Sequence, residues 1–277
     1  MAIIPGLGQL SVGMKVLIMG VIPLILAIAL GIALAYTRKI GILTLLLYIL
    51  GLVVSTVIFS TLPDFIQKGG PLVIVLILLV ILLITYILER ILTIKRARGT
   101  KPFTVFLKEF RDQLCEGNVT GAISTCNAQG GSCANVLRAG LERYLTIAEE
   151  KSPWEKKIAE VQRAVEEANM LETPLLERNL VVLTTIASIG TMVGLLGTTI
   201  GMIRAFQAMA HVGAPDAIEL ARGISEALIN TAGGLVNGIG GIVSNNYFMN
   251  RVDQFNYQTD EAVYEMTQIL TMIGGTK

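Results

Sequence analysis

Glu226 stands at the head of a stretch that carries no further charge from Ala227 to Asn250. That stretch is long enough to cross a bilayer as a helix. A carboxylate in or near hydrocarbon costs roughly 2.5–3.5 kcal/mol on insertion scales, so it points to ion or proton handling, or to a polar contact that repays it. On a helix, Glu226, Asn230, Asn237, Gly241 and Ser244 fall within about 60° of one another. Lipid does not solvate such a stripe, which is expected to face a protein interior or a wet path. A carboxylate taken out of water holds its proton more tightly. That suits either proton handling or a neutral hydrogen-bonding role, and both stay open at this stage.

A second uncharged run, Leu180–Ile203, lies between Arg178 and Arg204. Gly190, Gly194, Gly197 and Gly201 recur there at spacings of four and three, the pattern that lets membrane helices approach closely. On an adjacent face Thr184, Ser188, Thr191 and Thr198 align within about 80°. Such hydroxyls often bond only to their own helix backbone; their alignment over about four turns favours a lined path. Neither helix carries an internal charge to balance Glu226, so a partner, another copy of the chain, or both are expected to do so.

Composition sets the class. Of 277 residues, 53% are hydrophobic and 16% charged, against about 25% charged in soluble domains. The net charge of +1 gives no argument for nucleic acid. Cys115, Cys126 and Cys133 are not spaced as paired zinc ligands and read as small packing residues. With His211 as the only histidine, neither a metal site nor a histidine-based triad is expected within one chain. No cofactor and no enzymatic activity are predicted.

The elements that must position Glu226 follow in order. Val16–Thr37 and Ile40–Pro63 are uncharged runs joined by Arg38 and Lys39, which reads as an N-terminal membrane hairpin within residues 1–68. Ala33-Leu-Ala35 resembles a signal-peptidase site, but the apolar run is long for a signal peptide. Gly69–Leu88 is a third uncharged run, within a first core span over 69–90. Arg90, Lys95, Arg96, Arg98 and Lys101 follow it and mark the cytoplasmic side. Counting back places the N-terminus outside.

Residues 91–179 are charged and patterned for soluble helices. Phe103, Phe106, Leu107, Phe110 and Leu114 share one face. Asn118 and Ser132 are predicted caps, with Gly130-Gly131 as a break. Val136, Leu137, Leu141, Tyr144, Leu145 and Ala148 are predicted to share a face. Pro153 opens a further helix, with Pro174 a bend in it. Residues 180–250 form the core hairpin, with Ala205–Arg222 as an outside loop. Residues 251–277 form a cytoplasmic helical tail patterned by Phe255, Ala262, Met266 and Ile269. The fold class is thus all-α: a membrane protein with five spans whose long helices extend into a cytoplasmic bundle.

Two stretches resemble a known family. Gly190-Thr-Met-Val-Gly-Leu-Leu-Gly-Thr-Thr-Ile-Gly-Met-Ile-Arg-Ala-Phe206 is similar to the penultimate-span motif of the MotA/TolQ/ExbB family. Ile224-Ser-Glu-Ala-Leu-Ile-Asn-Thr-Ala-Gly-Gly-Leu235 is similar to its last-span motif. Val136–Glu142 and Leu171–Arg178 look like its cytoplasmic segment. Within the family the chain is most similar to the ExbB branch.

The resemblance implies a proton-motive-force-driven subunit in the inner membrane of a Gram-negative cell, in a pentameric ring of long helices around partner helices. It also implies an ExbD- or TolR-like single-span partner and a TonB-like protein that drives outer-membrane transport. Glu226, Thr198 and Thr231 match the positions that line the ion pathway or face the partner. Thr191, Asn230 and Asn237 extend that polar face. Three departures stand out: Gly190-Thr191 replace a usual Ala-Pro pair, a proline common near Gly240 is absent, and the N-terminal hairpin is additional.

Other readings compete with this one. A TolQ- or MotA-like role uses the same motifs. A secondary transporter would show internal repeats and broken helices, and no repeat relates the N-terminal hairpin to 180–250. A structural scaffold would not need Glu226.

Overall fold

The computed structural model describes residues 42–148, 153–210 and 217–275. The first span of the predicted N-terminal hairpin, Val16–Thr37, lies outside the described residues, as does His211. Among the described residues every element is helical: α1 (Ile42–Thr61), α2 (Asp64–Gln67), α3 (Leu72–Ala97), α4 (Phe103–Cys115), α5 (Val119–Gln129), α6 (Ser132–Ala148), α7 (Trp154–Glu177), α8 (Leu180–Met209) and α9 (Ala217–Gly275). Three helical stretches are long and apolar enough to cross a membrane, within Leu72–Ala97, Trp154–Met209 and Ala217–Gly274. The chain divides into two units.

The first unit comprises the described residues up to Glu89 with Asn179–Asn246. Side chains on α1 and α3 pack together through Val54, Ile58, Ile77 and Ile81. Glycines set the contacts of α8 with α9. Gly190 abuts Asn237, Gly194 abuts Gly234, Gly197 abuts Asn230, and Gly201 abuts Gly223 and Ala227. The order of these pairs makes α8 and α9 antiparallel. Gly233 meets Leu76 and Gly240 meets Leu83, an order that makes α3 and α9 parallel. The glycine stripe is therefore a seam within one chain, where absent Cβ atoms let backbones close up.

Part of the outside loop read over Ala205–Arg222 is helical. α8 continues through Met209 and α9 begins at Ala217. Arg204, Glu219 and Arg222 thus stand on helices, where charged side chains are good formers that reach past the hydrocarbon.

The second unit comprises Arg90–Arg178 and the chain from Tyr247. Phe106, Phe110 and Leu114 are buried on α4, as their spacing requires. Asn118 Oδ1 accepts from Gly121 N at 2.9 Å and caps α5. Gly130 ends that helix at φ 62, and Gly131 follows at φ 89. Ser132 is the first residue of α6 rather than its cap. The buried face of α6 runs through Val136, Leu137, Gly140, Leu141 and Ile147. Leu145 and Ala148 are exposed instead, because Gly140 and Ile147 take the inward positions; Gly140 abuts Val165 and Met266.

α7 runs through Pro174 to Glu177, and Asn179, at φ 66, separates it from α8. On α9, Val252, Phe255, Ala262, Met266 and Leu270 are buried. Arg90, first of the basic cluster read as marking the cytoplasmic side, is buried. It is 1% exposed, and its Nη1 donates to the Leu176 carbonyl at 3.1 Å.

Burial sets the thiol chemistry of this unit. It pushes the Cys126 thiol up to about 12, with Cys133 adding to the effect, and the Cys133 thiol up to about 11. Both stay neutral packing groups at physiological pH.

Candidate functional site

Glu226 is 7% exposed. Two elements hold its carboxylate. From α8, Arg204 Nη1 donates to Oε1 at 2.5 Å and to Oε2 at 2.7 Å. From the α2–α3 connection, Gly70 lies against Oε1 with φ +74, so any side chain there meets the carboxylate and also strains the backbone. The balancing charge absent from the sequence reading is thus inside the chain. It escaped because Arg204 and Glu226 terminate different uncharged runs. The antiparallel register supplies the signal: if Gly201 opposes Gly223 and Ala227, the next charged position on α8 falls beside Glu226.

The pair opens onto a cavity of about 270 Å³, lined also by Lys68, Gly70, Glu219 and Arg222. Arg222 pairs with Glu219 at 3.3 Å. The Arg204 side chain is 52% exposed, whereas that of Glu226 is 9% exposed. The pair therefore has one buried and one wet end. Its Coulomb energy falls between the screened and the dry limits.

Below Glu226, two asparagines continue the buried polar column. Asn230 Nδ2 donates to the Gly69 carbonyl at 2.8 Å and to the Glu226 carbonyl at 2.9 Å. Asn237 Nδ2 donates to the Leu76 carbonyl at 3.2 Å and to the Gly233 carbonyl at 3.1 Å. Each asparagine reaches a carbonyl 161 positions earlier in the chain. Two turns of α9 are thereby matched to the same rise on the α3 side, which fixes the register of parallel neighbours. Both side chains are fully buried, and each Oδ1 is without a hydrogen-bond partner. An orphaned buried acceptor is costly.

The stripe of Glu226, Asn230, Asn237 and Gly241 thus faces the interior of its own chain. The hydroxyls behave differently. Thr198 donates to the Leu195 carbonyl at 2.6 Å and Thr231 to the Ala227 carbonyl at 3.2 Å. Thr191 donates to the carbonyls of Ala187 and Ser188. All three are half-buried and bond within their own helices. The structure therefore joins Glu226, Asn230 and Asn237 in one column, and none of the three hydroxyls bonds to Glu226. Around this column the outer faces of α8 and α9 are apolar and open, with Met192 66%, Leu195 61%, Leu228 66% and Ile239 63% exposed. Among the described residues no group of three or more His, Cys, Asp or Glu could hold a metal ion.

Comparison with known proteins places this arrangement. The model of the MotA/TolQ/ExbB proton channel family matches residues 130–261, which include Glu226, Arg204 and both asparagines. A putative biopolymer transport protein ExbB-like 3 of Synechocystis is 38% identical over 91 residues, 32% of this chain and 43% of that protein. The Tol-Pal system protein TolQ of Pseudomonas aeruginosa is 33% identical over 117 residues, 42% of this chain and 51% of its own. The biopolymer transport protein ExbB of Aquifex aeolicus is 30% identical over 116 residues, 42% of this chain and 71% of its own. The chain spans about half the length of the first two relatives.

Proposed function

Because the chain belongs to the MotA/TolQ/ExbB proton channel family, a family of channels rather than enzymes, we propose that it is an ExbB-like subunit of a motor driven by proton motive force. In this reading the chain sits in the inner membrane of a Gram-negative bacterium and forms a pentameric ring around an ExbD- or TolR-like single-span partner. The motor then works a TonB-like protein to power outer-membrane transport. The observation that carries the reading is Glu226, buried inside the family-matched segment and held by Arg204 at the wet end of a polar column.

The open apolar faces of α8 and α9 support a ring, since a lone chain leaves them uncovered. Thr198 and Thr231 serve there as the pathway or partner-facing hydroxyls, with Thr191 beside them, while the buried Asn230 and Asn237 hold α9 to the α3 side behind that lining. The three core spans alternate in direction in this reading, which parallel α3 and α9 with antiparallel α8 support. A TolQ-like role is the second reading, favoured by the TolQ relative at comparable identity.

The test is to purify the tagged full-length chain from its native membrane and measure the native mass of the complex, identifying any single-span protein that accompanies it. The expected result is five copies of this chain with such a partner. A monomer without one would overturn the proposal, and a partner of the TolR kind would move it to the second reading.

A further inference from the structure

The second unit holds a cavity that the motor reading does not use. Its volume is about 190 Å³, and Lys95, Arg98 and Arg251 bring three cations to its wall. Ile91, Tyr247 and Phe248 supply the apolar side, and no carboxylate lines it. Small-molecule sites commonly run to roughly 300–1,000 Å³, so this one suits a fragment such as a headgroup phosphate. The cations are held on a fixed frame. Arg251 sits 5.3 Å from the centre of the Tyr247 ring, its Nε donating to the Tyr247 hydroxyl at 3.3 Å and its Nη1 to Gln254 Oε1 at 3.4 Å.

The chain after Lys95 is pinned by Gln129, whose Nε2 donates to the carbonyls of Arg98 and Lys101, each at 2.9 Å. Gln129 Oε1 accepts from Lys101 N at 3.0 Å. Gly99, at φ +80, permits the tight turn against Gly130. Position along the chain specifies the ligand. The cavity begins where the apolar run of α3, Gly69–Leu88, gives way to basic residues. Ile91 and Leu92 beside it are 46% and 41% exposed. Three cations against a single phosphate leave excess positive charge, which favours a lipid with net negative charge over a zwitterionic one.

We propose that Lys95, Arg98 and Arg251 bind the phosphate of an anionic glycerophospholipid, with Tyr247 at its glycerol and the acyl chains along Ile91 and Leu92. The inference is independent of the motor role and needs only that α3 spans the membrane. The test uses the purified full-length complex, delipidated in uncharged detergent and followed by native mass spectrometry. Phosphatidylglycerol, phosphatidylcholine and inorganic phosphate are added separately.

Phosphatidylglycerol is expected to bind well above phosphatidylcholine, and equimolar inorganic phosphate should not displace it. Lys95→Gln with Arg98→Gln removes two exposed cations and should weaken phosphatidylglycerol binding about thirtyfold. Lys108→Gln with Lys156→Gln removes the same charge elsewhere and should leave binding intact. Should the first pair lower the melting temperature, Arg98→Gln alone carries the test with an expected loss of about fivefold. Equal binding of the two lipids, an unaffected Lys95/Arg98 variant, or an equal loss in the control would each overturn the proposal. Displacement by free phosphate would overturn it too, and would leave a free-anion site instead.

Discussion

Arg204 Nη1 donates to both carboxylate oxygens of Glu226, joining the last turns of α8 to the early turns of α9. The two residues differ in exposure, 52% against 9% at the side chain. Removing either therefore has a different consequence. Without Arg204, Glu226 is a buried carboxylate with its partner gone, which costs more than the roughly 1–3 kcal/mol of a neutral orphaned group. Without Glu226, Arg204 reaches water.

Glu226→Ala is accordingly expected to leave expression and complex assembly nearly intact while abolishing energy-dependent uptake through the outer membrane. Glu226→Asp, one methylene shorter, should retain part of the activity. Arg204→Gln should lower both stability and uptake, and Arg204→Lys should recover stability first. Thr198→Val and Thr231→Val remove bonds made only within their own helices, so uptake should fall further than assembly. The readout is receptor-dependent uptake in cells beside the amount of intact complex. Full uptake by an assembled Glu226→Ala complex would remove this carboxylate from the mechanism.

The glycine seam makes a sharper structural forecast. A Cβ on Gly194 would lie 2.9 Å from the Gly234 Cα and 3.0 Å from the Asn230 carbonyl oxygen. Backbone atoms cannot rotate away. Gly194→Ala is expected to cost about 1–3 kcal/mol by overpacking, and Gly194→Leu to prevent the α8–α9 hairpin from closing. Gly117, with nothing within 4 Å, tests the local contact rather than glycine in general, although its φ of +76 sets a small strain of its own. Melting of the purified chain in detergent separates the cases. An unchanged melt for Gly194→Leu would show that the seam does not hold the hairpin.

The helices were legible in the sequence because their signals are local. The spacing of Phe106, Phe110 and Leu114 sufficed for α4, and Asn118 announced the start of α5. Glu226, Asn230 and Asn237 were legible as one face for the same reason. What those side chains touch was not. The bond from Asn237 to the Leu76 carbonyl and the pair with Arg204 depend on register between helices far apart in sequence. Arg90 shows the limit most plainly. Its position after an apolar run marks the cytoplasmic side and says nothing of a partner, and only tertiary packing turns it onto the Leu176 carbonyl.

Thiol reactivity follows from the second unit. Cys115 is exposed, whereas Cys126 and Cys133 are buried, with thiols pushed to about 12 and about 11. A maleimide reagent near neutral pH should label one cysteine per native chain, and three after denaturation. The same shifts predict alkaline sensitivity. The folded state keeps these protons while the unfolded chain releases them from its ordinary value of 9.0. Their contribution is whole below about pH 9 and is lost as the pH rises towards 11–12. Rapid labelling of Cys126 in the folded chain would contradict its burial.

Topology is the last prediction, and the packing sharpens it. Parallel α3 and α9 require that Gly69–Gly70 and Glu226 lie at the same end of the core, and Asn230 bonds to Gly69 there. Antiparallel α8 brings Arg204 to that end as well. The opposite end of α3 carries Lys95 and Arg96, with Arg98 just past it, which the positive-inside rule assigns to the cytoplasm. The Glu226–Arg204 pair, Lys68 and Asp64 are therefore expected on the outer side. With the N-terminal hairpin the chain is expected to have five spans, its N-terminus outside and its C-terminus inside. In a variant lacking the native cysteines, Asp64→Cys should react with a membrane-impermeant reagent in intact spheroplasts, while Lys101→Cys and Lys277→Cys react only after permeabilisation. Reaction of Lys101→Cys from outside would invert the orientation and place the ion pair at the cytoplasmic surface.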